Sequence, residues 1–588
     1  MLEKWFVKNK KADFKKISIK YGISELISRL IINRDITEDN MIKNYINPTV
    51  ENLYDASEMK DIEKAVNILK NKIKSQVKIR IVGDYDVDGV ISVYILYTSL
   101  KKCGANVDYE IPDRIKDGYG INKDIILKAN EDGVDTLLTC DNGISAIDQI
   151  KYAKQLGMTV IVTDHHDIPF VEGENGTRTF ISSEADAIVN PKQMECKYKF
   201  DKICGAGVAF KLIQFLFNEM DIKKEESFKL IEFVAIATVC DVVDLIDENR
   251  IFVKNGLDMI NKTTNLGLKA LINATNMSDK EISTYHLGFV IGPCINASGR
   301  LDSAKRGLKL LLSEDENEAR ILADELVELN NERKDMTLEG VERAIDIVEN
   351  TNIKKDKVFL IYIPEVHESL AGIIAGRIRE KYNVPTIILT KAENGIKGSG
   401  RSIEEYNMFE ELMKCKDLLD KFGGHPMAAG LSLKEENIDK FREELNKNTI
   451  LTEEELIPKV TIDLPLNLDY INYDMINDLE VLEPFGKGNS KPLFGARNIC
   501  VTKAMVLGKN NNVLKLKLKT ELGKIIDGIY FGDINEFENT IINKYGNEEL
   551  QKLYDGQYNS VNIDFIFYPS INEYNGVSNI QLIIQNYR

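Results

Sequence analysis

Between residues 77 and 260, short apolar runs alternate with helical patterns, and this alternation constrains the fold more than any other feature of the chain. Three runs are typical of buried strands, at residues 77–82, 136–140 and 158–162. Strands that alternate with helices form βαβ units, so the pattern predicts an α/β fold with a doubly wound parallel sheet. In such sheets ligands bind at the carboxyl ends of the strands. Residues that follow these runs are therefore the first candidates for a functional site.

Acidic side chains follow each predicted strand, and two histidines follow the third. Asp84, Asp86 and Asp88 crowd the turn after the first run. The later candidates are Asp141 after the second run, Asp164, His165 and His166 after the third, and Asp241 and Asp244 after a predicted apolar helix at residues 233–239. One acid has a structural explanation, because an aspartate caps a helix N-terminus and Asp88 is placed to do so. The cap leaves two acids of that turn unexplained.

The histidine pair strengthens the case for a metal site, since the chain contains five histidines and two of them are adjacent. A histidine at a strand end is often only hydrogen-bonded, and for His165 and His166 alone that alternative stays open. Carboxylates at close range repel one another, so acids with only a surface role would be expected farther apart. Imidazole beside carboxylates suits Mn²⁺ or Zn²⁺ as well as Mg²⁺. Four chain segments that bring such groups to one sheet edge favour a metal centre.

The chain resembles the DHH phosphoesterase superfamily in four successive motifs. They are Gly-Asp-Tyr-Asp-Val-Asp-Gly from Gly83 to Gly89, Asp141-Asn-Gly143, Asp164-His-His166 and Cys240-Asp-Val-Val243. Within the superfamily the sequence is similar to the RecJ family of single-stranded-DNA-specific 5′-to-3′ exonucleases, from about residue 20 onwards. The segments that carry this second resemblance are Ile111-Pro-Asp-Arg114, Asp117-Gly-Tyr-Gly120, Asn190-Pro191, Cys204-Gly-Ala-Gly-Val208, Asn296-Ala-Ser-Gly-Arg300, Asn330-Asn-Glu-Arg-Lys334, Gly398-Ser-Gly-Arg-Ser402 and Phe422-Gly-Gly-His425. Tyr119, between two glycines, either stacks on a base or braces its loop.

The resemblance implies two-metal hydrolysis of a phosphodiester with two divalent cations, Mn²⁺ or Mg²⁺. It implies that Asp86 and Asp88 face different metals and that Asp141 bridges them. His165 would complete one coordination shell, and Asp241 would join from the far side. The remaining residues, which would orient the ligands or act beside them in catalysis, are Asp84, Asp164 and His166. Asp84 is also a candidate ligand, because relatives of another layout place a histidine where this chain has Val82.

The resemblance also implies a pocket for a 5′-terminal phosphate, which guanidinium groups bind bidentately. The implied phosphate and substrate contacts are Arg114, Arg300, Ser399, Arg401 and, on the facing wall of the cleft, His425. A phosphate pocket held one phosphodiester away from the metals along the strand would make cleavage proceed in one direction. The sequence departs from the family at Cys294, where RecJ-like sequences carry arginine, so we expect one basic contact to be missing.

The chain divides into five predicted regions. Residues 1–50 form an N-terminal helical segment, and residues 51–300 form the DHH phosphoesterase domain. Residues 301–352 form a helical connector, because 313–350 are nearly free of glycine and proline. Residues 353–450 form a second, smaller α/β domain that resembles the DHH-associated domain. Residues 455–588 show strand periodicity and a hairpin dipeptide at Asn575-Gly576, and the resemblance implies an OB-fold that binds nucleic acid there.

Composition restricts the remaining classes. The net charge of −17 argues against tight non-specific duplex binding, although a carboxylate-lined metal site contributes negative charge that cations cancel. Eight cysteines without Cys-x-x-Cys spacing indicate neither a zinc ribbon nor a disulfide framework. No apolar run reaches the length of a membrane span, so we expect a cytoplasmic protein without a membrane partner. Lys515, Lys517 and Lys519 alternate along one strand, and we interpret them as the solvated face of an edge strand.

The predicted function is degradation of single-stranded DNA to 5′-mononucleotides in DNA repair and recombination. The predicted partner is single-stranded DNA with a 5′ end, and a single-strand-binding protein and a RecQ-type helicase are candidate partners that deliver it. Two alternatives remain. One is a phosphodiesterase for short oligonucleotides or cyclic dinucleotides, and the other is a catalytically silent single-strand-binding replication factor.

Overall fold

The structure is a computed structural model that describes residues 3–172, 177–392, 395–508, 510–574 and 576–588. The N-terminal segment, predicted to be helical, contains a strand before its three helices. The elements of this segment are β1 (Lys4–Val7), α1 (Phe14–Tyr21), α2 (Glu25–Ile32) and α3 (Asp39–Ile46). The helices pack on the C-terminal barrel, with Ile27 and Leu30 in the same core as Phe494 and Phe565.

The predicted doubly wound parallel sheet is confirmed. The strands and helices that build it are α4 (Ile62–Lys74), β2 (Ile79–Val82), α5 (Val87–Lys102), β3 (Val107–Glu110), α6 (Lys123–Glu131), β4 (Thr136–Cys140), α7 (Ile147–Gln155), β5 (Thr159–Thr163) and β8 (Ala187–Val189). Before β8, strands β6 (Phe170–Glu172) and β7 (Arg178–Phe180) form a separate antiparallel pair. Five parallel strands pair in the order β3-β2-β4-β5-β8. Strands β2 and β4 are fully buried, as expected for parallel strands covered on both faces. The direction of strand addition reverses between β2 and β4, where α/β folds bind ligands.

Helices complete this domain and lead out of it. They are α8 (Gly205–Glu219), α9 (Lys224–Phe228), α10 (Ile231–Cys240), α11 (Asp247–Ile260), α12 (Leu266–Ala274), α13 (Thr284–His286) and α14 (Gly292–Leu301). A π-helical turn at Leu287–Ile291 joins α13 to α14. Two helices follow as the connector: α15 (Lys305–Leu312) and the 35-residue α16 (Glu316–Asn350), which matches the predicted glycine-poor helix.

The second α/β unit has a mixed five-stranded sheet in the order β12-β13-β11-β10-β9. Its elements are β9 (Phe359–Tyr362), α17 (Ala371–Tyr382), β10 (Thr386–Ala392), β11 (Gly395–Arg401), α18 (Met408–Lys414), β12 (Lys421–His425), β13 (Ala428–Leu433) and α19 (Ile438–Asn448). Only β9 and β10 run parallel, and the other pairs are antiparallel. Short 3₁₀ turns occur elsewhere at Val50–Asn52, Ala56–Glu58, Asn352–Lys355, Glu368–Leu370, Lys416–Leu418, Glu435–Asn437, Leu468–Tyr470 and Leu479–Leu482.

The C-terminal region is a closed barrel, as predicted. Its elements are β14 (Lys459–Ile462), β15 (Leu464–Pro465), α20 (Tyr473–Asp478), β16 (Phe494–Leu507), β17 (Val513–Lys519), β18 (Ile525–Tyr530), α21 (Ile534–Tyr545), α22 (Asn547–Asp555), β19 (Asn562–Tyr574) and β20 (Val577–Tyr587). The order β15-β16-β17-β18-β20-β19 closes because β16 also pairs with β19. Strand β14 pairs in parallel with β1, which ties the N-terminal segment to the start of the C-terminal region. Asn575 of the predicted hairpin dipeptide lies outside the described residues.

The prediction of an edge strand for the alternating lysines is wrong. Strand β17 lies between β16 and β18, so both of its edges are paired. Lys515 and Lys517 form ion pairs with Asp527 of β18, at 2.7 and 2.5 Å. Asp527 of the neighbouring strand therefore offsets part of the lysine charge, a pairing that the periodicity of one strand cannot show.

Candidate active site

The turn from β2 into α5 holds three acids in different environments. Asp86 is the N-cap of α5 and accepts a hydrogen bond from the Gly89 backbone N–H at 3.0 Å, so the predicted cap at Asp88 is wrong. Asp88 is the second residue of α5 and is almost fully buried. Its two carboxylate oxygens accept the backbone N–H groups of Gly205 and Ala206, at 2.6 and 2.8 Å. The start of α8 therefore orients Asp88, since a helix N-terminus binds anions.

Asp141 follows β4 with a backbone φ of 59°, a left-handed conformation that is unusual outside glycine. The Tyr119 hydroxyl donates a hydrogen bond of 2.8 Å to the Asp141 backbone carbonyl. Tyr119 therefore braces the loop that presents the carboxylate, although its ring is half exposed. A Cβ on Gly205 would lie 2.7 Å from the Asp141 Cβ, so glycine there lets α8 approach the site closely.

His165 lies at the centre of the acidic cluster. Its Nε2 is 3.1 Å from Asp141 Oδ1, 3.7 Å from Asp88 Oδ2 and 3.8 Å from Asp241 Oδ2. Within the described part of the chain, neither His165 Nε2 nor Asp141 Oδ1 has a hydrogen-bond partner, although both atoms are buried. Buried polar atoms without partners are costly unless they bind something else.

Two groups have the spacing of metal ligands, with all ligand atoms within 4.8 Å of one another. One group is Asp141, His165 and His166, and the other is Asp88, His165 and Asp241. Nitrogen and carboxylate donors with unsatisfied atoms fit divalent cations such as Mn²⁺. The structure thus brings together five predicted site residues, from three strand or helix ends and the first turn of α5.

Asp164 positions the histidine pair. Its Oδ1 accepts hydrogen bonds from the backbone N–H groups of His165 and His166, at 2.7 and 3.1 Å, and lies 2.7 Å from His166 Nδ1. Its Oδ2 accepts the Ile144 backbone N–H at 2.9 Å. A carboxylate that holds an imidazole in this way fixes the ring orientation beside a metal site.

Burial dominates the electrostatics of the cluster. It raises the pKa of Asp88 to about 6, and the nearby Asp86 carboxylate adds to the shift. Burial, followed by repulsion from neighbouring carboxylates, raises the pKa of Asp141 and Asp241 well above the usual range. Burial and the neighbouring His166 lower the pKa of His165 to about 3. A cation bound at this point would supply the missing positive charge.

His166 behaves differently from His165. Burial alone would lower its pKa, but the hydrogen bond to Asp164 outweighs burial and raises the pKa to about 9. Near neutral pH, the pair therefore combines a neutral imidazole, whose Nε2 is free to ligate, with a protonated one that is able to donate.

Asp84 and Asp86 lie beside the two ligand groups and belong to neither of them. Asp84 is buried, and its Oδ1 is 3.4 Å from the Gly120 backbone N–H. Tyr85, between the two acids, lines a neighbouring cavity. The β2–α5 turn thus contributes residues to both the metal-ligand cluster and this cavity.

That cavity has a volume of about 320 Å³ and lies between the two α/β domains. Four of the predicted phosphate contacts line it: Arg114, Arg300, Ser399 and Arg401. Lys397 also lines it and is paired with Glu368 at 2.7 Å.

The guanidinium groups in the cavity are held by local contacts. Arg114 packs 4.5 Å from the centre of the Tyr85 ring. Arg300 Nη1 donates to the Ser369 carbonyl at 2.6 Å, and a Cβ on Gly372 would lie 2.8 Å from Arg401 Nη2. Burial, with repulsion from Arg114 and Arg333, lowers the pKa of Arg300 to about 9. Clustered cations under such repulsion favour a bound anion.

His425 belongs to neither ligand group and is not among the residues that line the cavity. It is exposed at the end of β12, and its charge acts on Asp167. Sequence reasoning missed the role of the Gly205 and Ala206 amides, whose only signal was a glycine-rich segment at a helix start.

Comparisons with known proteins agree with this architecture. The DHH family, N-terminal domain, matches residues 78–238, the DHHA1 domain matches 355–449, and the RecJ OB domain matches 462–586. Single-stranded-DNA-specific exonuclease RecJ of Bacillus subtilis strain 168 is 35% identical over 576 residues, covering 97% of this chain and 69% of the relative. The Escherichia coli K12 enzyme of the same name is 32% identical over 585 residues, covering 95% of each chain. The chain belongs to the RecJ family.

Solved structures extend the likeness to three dimensions. RecJ of Thermus thermophilus in complex with Mn²⁺ has a TM-score of 0.80 at 24% identity, covering 100% of this chain and 79% of that one. An exonuclease RecJ bound to manganese has a TM-score of 0.57 at 29% identity, covering 66% of this chain and 94% of that one. Among the described residues, no helix is both long and apolar enough to span a membrane.

Cys294 is the position at which the family resemblance predicts a missing basic contact. Cys294 is buried in α14, and the Asn330 side-chain amide lies 3.4 Å from its Sγ. The cationic side chains of Arg333 and Lys334 on α16 act on its thiol. A small thiol therefore occupies this position, and the charges that act on it come from the connector helix.

Proposed function

We propose that this protein is a metal-dependent exonuclease that hydrolyses single-stranded DNA from its 5′ end and releases 5′-mononucleotides. The observation that carries the proposal is that one turn, Asp84 to Asp88, belongs to both the metal-ligand cluster and the cationic cavity. A strand whose terminal phosphate lies in the cavity reaches the cluster with its first phosphodiester. The named relatives are single-stranded-DNA-specific exonucleases, which agrees with this proposal.

In this proposal the cations are Mn²⁺ or Mg²⁺, held by Asp88, Asp141, His165 and Asp241, with Asp84 and Asp86 beside them. Divalent cations supply an activated water and neutralise charge on the phosphate. The chain's own residues prepare the site for this. His165 stays neutral and presents Nε2, while the backbone amides of α8 fix the Asp88 carboxylate.

His166 is the protein's proton-bearing group in the cleft. Its raised pKa keeps it charged near neutral pH, and Asp164 fixes its ring. Such a group donates a hydrogen bond to a phosphate oxygen, where negative charge builds during hydrolysis. His425, on β12 of the second domain, is proposed to lie along the opposite wall of the cleft.

Polarity follows from the cationic cavity. Arg114, Arg300, Ser399 and Arg401 would bind a 5′-terminal phosphate, and a 3′ end offers no equivalent group. The net charge of −17 does not oppose this assignment, because the cavity is locally cationic. Single-stranded DNA is the proposed partner in repair and recombination in the cytoplasm, delivered by a single-strand-binding protein and a RecQ-type helicase.

The direct test uses the purified full chain with Mn²⁺ and single-stranded DNA labelled at either end. We expect immediate release of labelled mononucleotide from the 5′-labelled strand and delayed release from the 3′-labelled strand. Asp141→Ala should abolish both, because it removes a carboxylate from the ligand group. Cleavage of dinucleotides alone would instead assign the protein to short substrates. Binding of long strands without cleavage by the wild-type chain would indicate a silent binding factor.

A further inference from the structure

Two aromatic side chains stack on each other at the protein surface. The ring centres of Tyr285 and Phe289 lie 5.1 Å apart with an angle of 27° between the planes. The residues are 62% and 68% exposed, so both keep large apolar faces in contact with solvent. Rings held in this way offer a flat surface on which another planar group can stack at little entropic cost.

The pair belongs to a helical segment that packs against the helix leading to Asp241. The π-helical turn that carries Phe289 packs against the end of α10, where Cys240 Sγ is 3.6 Å from the Leu287 carbonyl. A Cβ on Gly292 would lie 2.3 Å from the same sulfur. The next residue after Cys240 is Asp241, a member of a ligand group. The aromatic pair is therefore separated from the cluster by the packed end of one helix.

The other end of the same helical segment reaches the cationic cavity. Arg300, near the end of α14, lines the cavity, and a Cβ on Gly299 would lie 2.3 Å from the Tyr85 carbonyl. Asn296 and Arg300 are four residues apart in α14 and so lie along one side of it, and Phe289 lies in the π-helical turn that precedes α14. Asn296 Oδ1 is buried and has no hydrogen-bond partner in the described part of the chain. Along one continuous segment the order is therefore cavity, metal-ligand cluster, aromatic pair.

A cationic turn of the C-terminal barrel region adjoins the pair. The Thr284 hydroxyl donates to the Phe485 carbonyl at 2.7 Å, and the Leu245 backbone N–H donates to the Lys487 carbonyl at 2.7 Å. Lys487 is exposed, and its charge acts on Asp241. Aromatic faces beside a cation are the combination by which proteins hold single strands, with bases stacked and the backbone neutralised.

We propose that Tyr285 and Phe289 form a stacking platform for unpaired bases on the 3′ side of the scissile phosphate. This inference rests on the proposed function, because the order of cavity, cluster and aromatic pair becomes the order of 5′ phosphate, scissile bond and following bases. In a duplex the faces of a base are covered by the base pairs stacked above and below it, so an internal base has no free face to present there. The platform therefore also contributes to the preference for single strands.

The test measures binding without cleavage, with the full-length Asp141→Ala chain and 5′-phosphorylated oligonucleotides in a fluorescence anisotropy assay. One oligonucleotide carries all its bases, and matched ones carry abasic residues at successive positions from the 5′ end. Tyr285→Leu with Phe289→Leu keeps apolar volume but removes the rings. Phe289→Trp keeps a stacking face, and Tyr558→Leu is the control, because Tyr558 is 98% exposed elsewhere on the surface.

We expect the double leucine variant to bind the complete oligonucleotide about tenfold more weakly, within the range for loss of base stacking. It should also lose the difference between complete and abasic strands, whereas Phe289→Trp and Tyr558→Leu keep it. Equal affinities for the double variant and its parent would overturn the platform. So would a parent that binds complete and abasic strands alike. If the wild-type chain neither binds nor cleaves single strands, the proposed function fails as well.

Discussion

The Tyr119 hydroxyl donates a hydrogen bond to the backbone carbonyl of Asp141, a residue held in the left-handed region of backbone conformation. The bond joins two loops, because Tyr119 precedes α6 and Asp141 follows β4. It fixes the peptide from which the Asp141 carboxylate points at His165. Metal geometry at this site therefore depends on a side chain that is not itself a ligand.

Tyr119→Phe should weaken Mn²⁺ binding about tenfold, the lower end of the range for loss of a group that orients a ligand. The variant keeps the ring, so KM for DNA should stay near the wild-type value while kcat at limiting Mn²⁺ falls. Calorimetric titration of the metal-free protein measures the affinity directly. If excess Mn²⁺ fails to restore kcat, Tyr119 acts on the substrate rather than on the metal site.

Arg401→Gln should change substrate preference more than overall turnover. Arg401 lines the cationic cavity, so its loss should raise KM for 5′-phosphorylated single strands by about tenfold or more, given the strength of a charge-assisted contact. Strands with a 5′-hydroxyl should be affected little. Arg442→Gln is the matched control, because Arg442 pairs with Asp356 outside the cavity. A parallel loss on both kinds of strand would contradict a terminal-phosphate pocket.

Glu232, buried in the first turn of α10, predicts a pH dependence of stability. Burial raises its pKa to about 7, and a hydrogen bond from Thr263 opposes the shift only in part. The folded state thus holds this proton more tightly than the unfolded state, so stability declines as pH rises from about 4.5 to 7. Glu232→Gln should stabilise the protein at pH 8 by up to about 3 kcal/mol and have no effect below pH 4.5.

Thermal unfolding of wild type and Glu232→Gln across this pH range checks the prediction. The exposed Glu436→Gln serves as the control for loss of one negative charge. A constant difference in Tm between pH 4.5 and 8 would show that Glu232 is not the titrating group.

Lys211 and Glu248 form a fully buried ion pair, with a distance of 2.6 Å between Nζ and Oε1. Lys211→Met should cost about 3–5 kcal/mol, because it leaves Glu248 buried without its partner. A second substitution, Glu248→Met, should recover a large part of that loss. Denaturant unfolding of the three variants measures the difference, and additive losses in the double variant would mean that the two side chains do not compensate each other.

The sequence by itself determined the local elements and the chemical content of the site. Apolar runs and helical periods placed β2, β4, β5 and α16 close to their observed bounds, because periodicity is a property of the chain segment alone. The position of acids and histidines after strands then implied a common edge, since carboxyl ends of parallel strands meet there. Motif resemblance added the arginines of the cavity, which no local pattern singles out.

Only the tertiary structure decided which groups touch. Asp86 rather than Asp88 caps α5. The Asp88 carboxylate instead accepts hydrogen bonds from backbone amides of α8, which lies more than one hundred residues later in the chain. The N-terminal strand β1 pairs with β14, and β17 lies inside the barrel, since pairing partners come from distant segments. The helical segment that carries the stacked rings of Tyr285 and Phe289 contacts the end of α10, next to Asp241, through packing between helices. Long-range contacts of this kind depend on how elements assemble, which the pattern within each element does not encode.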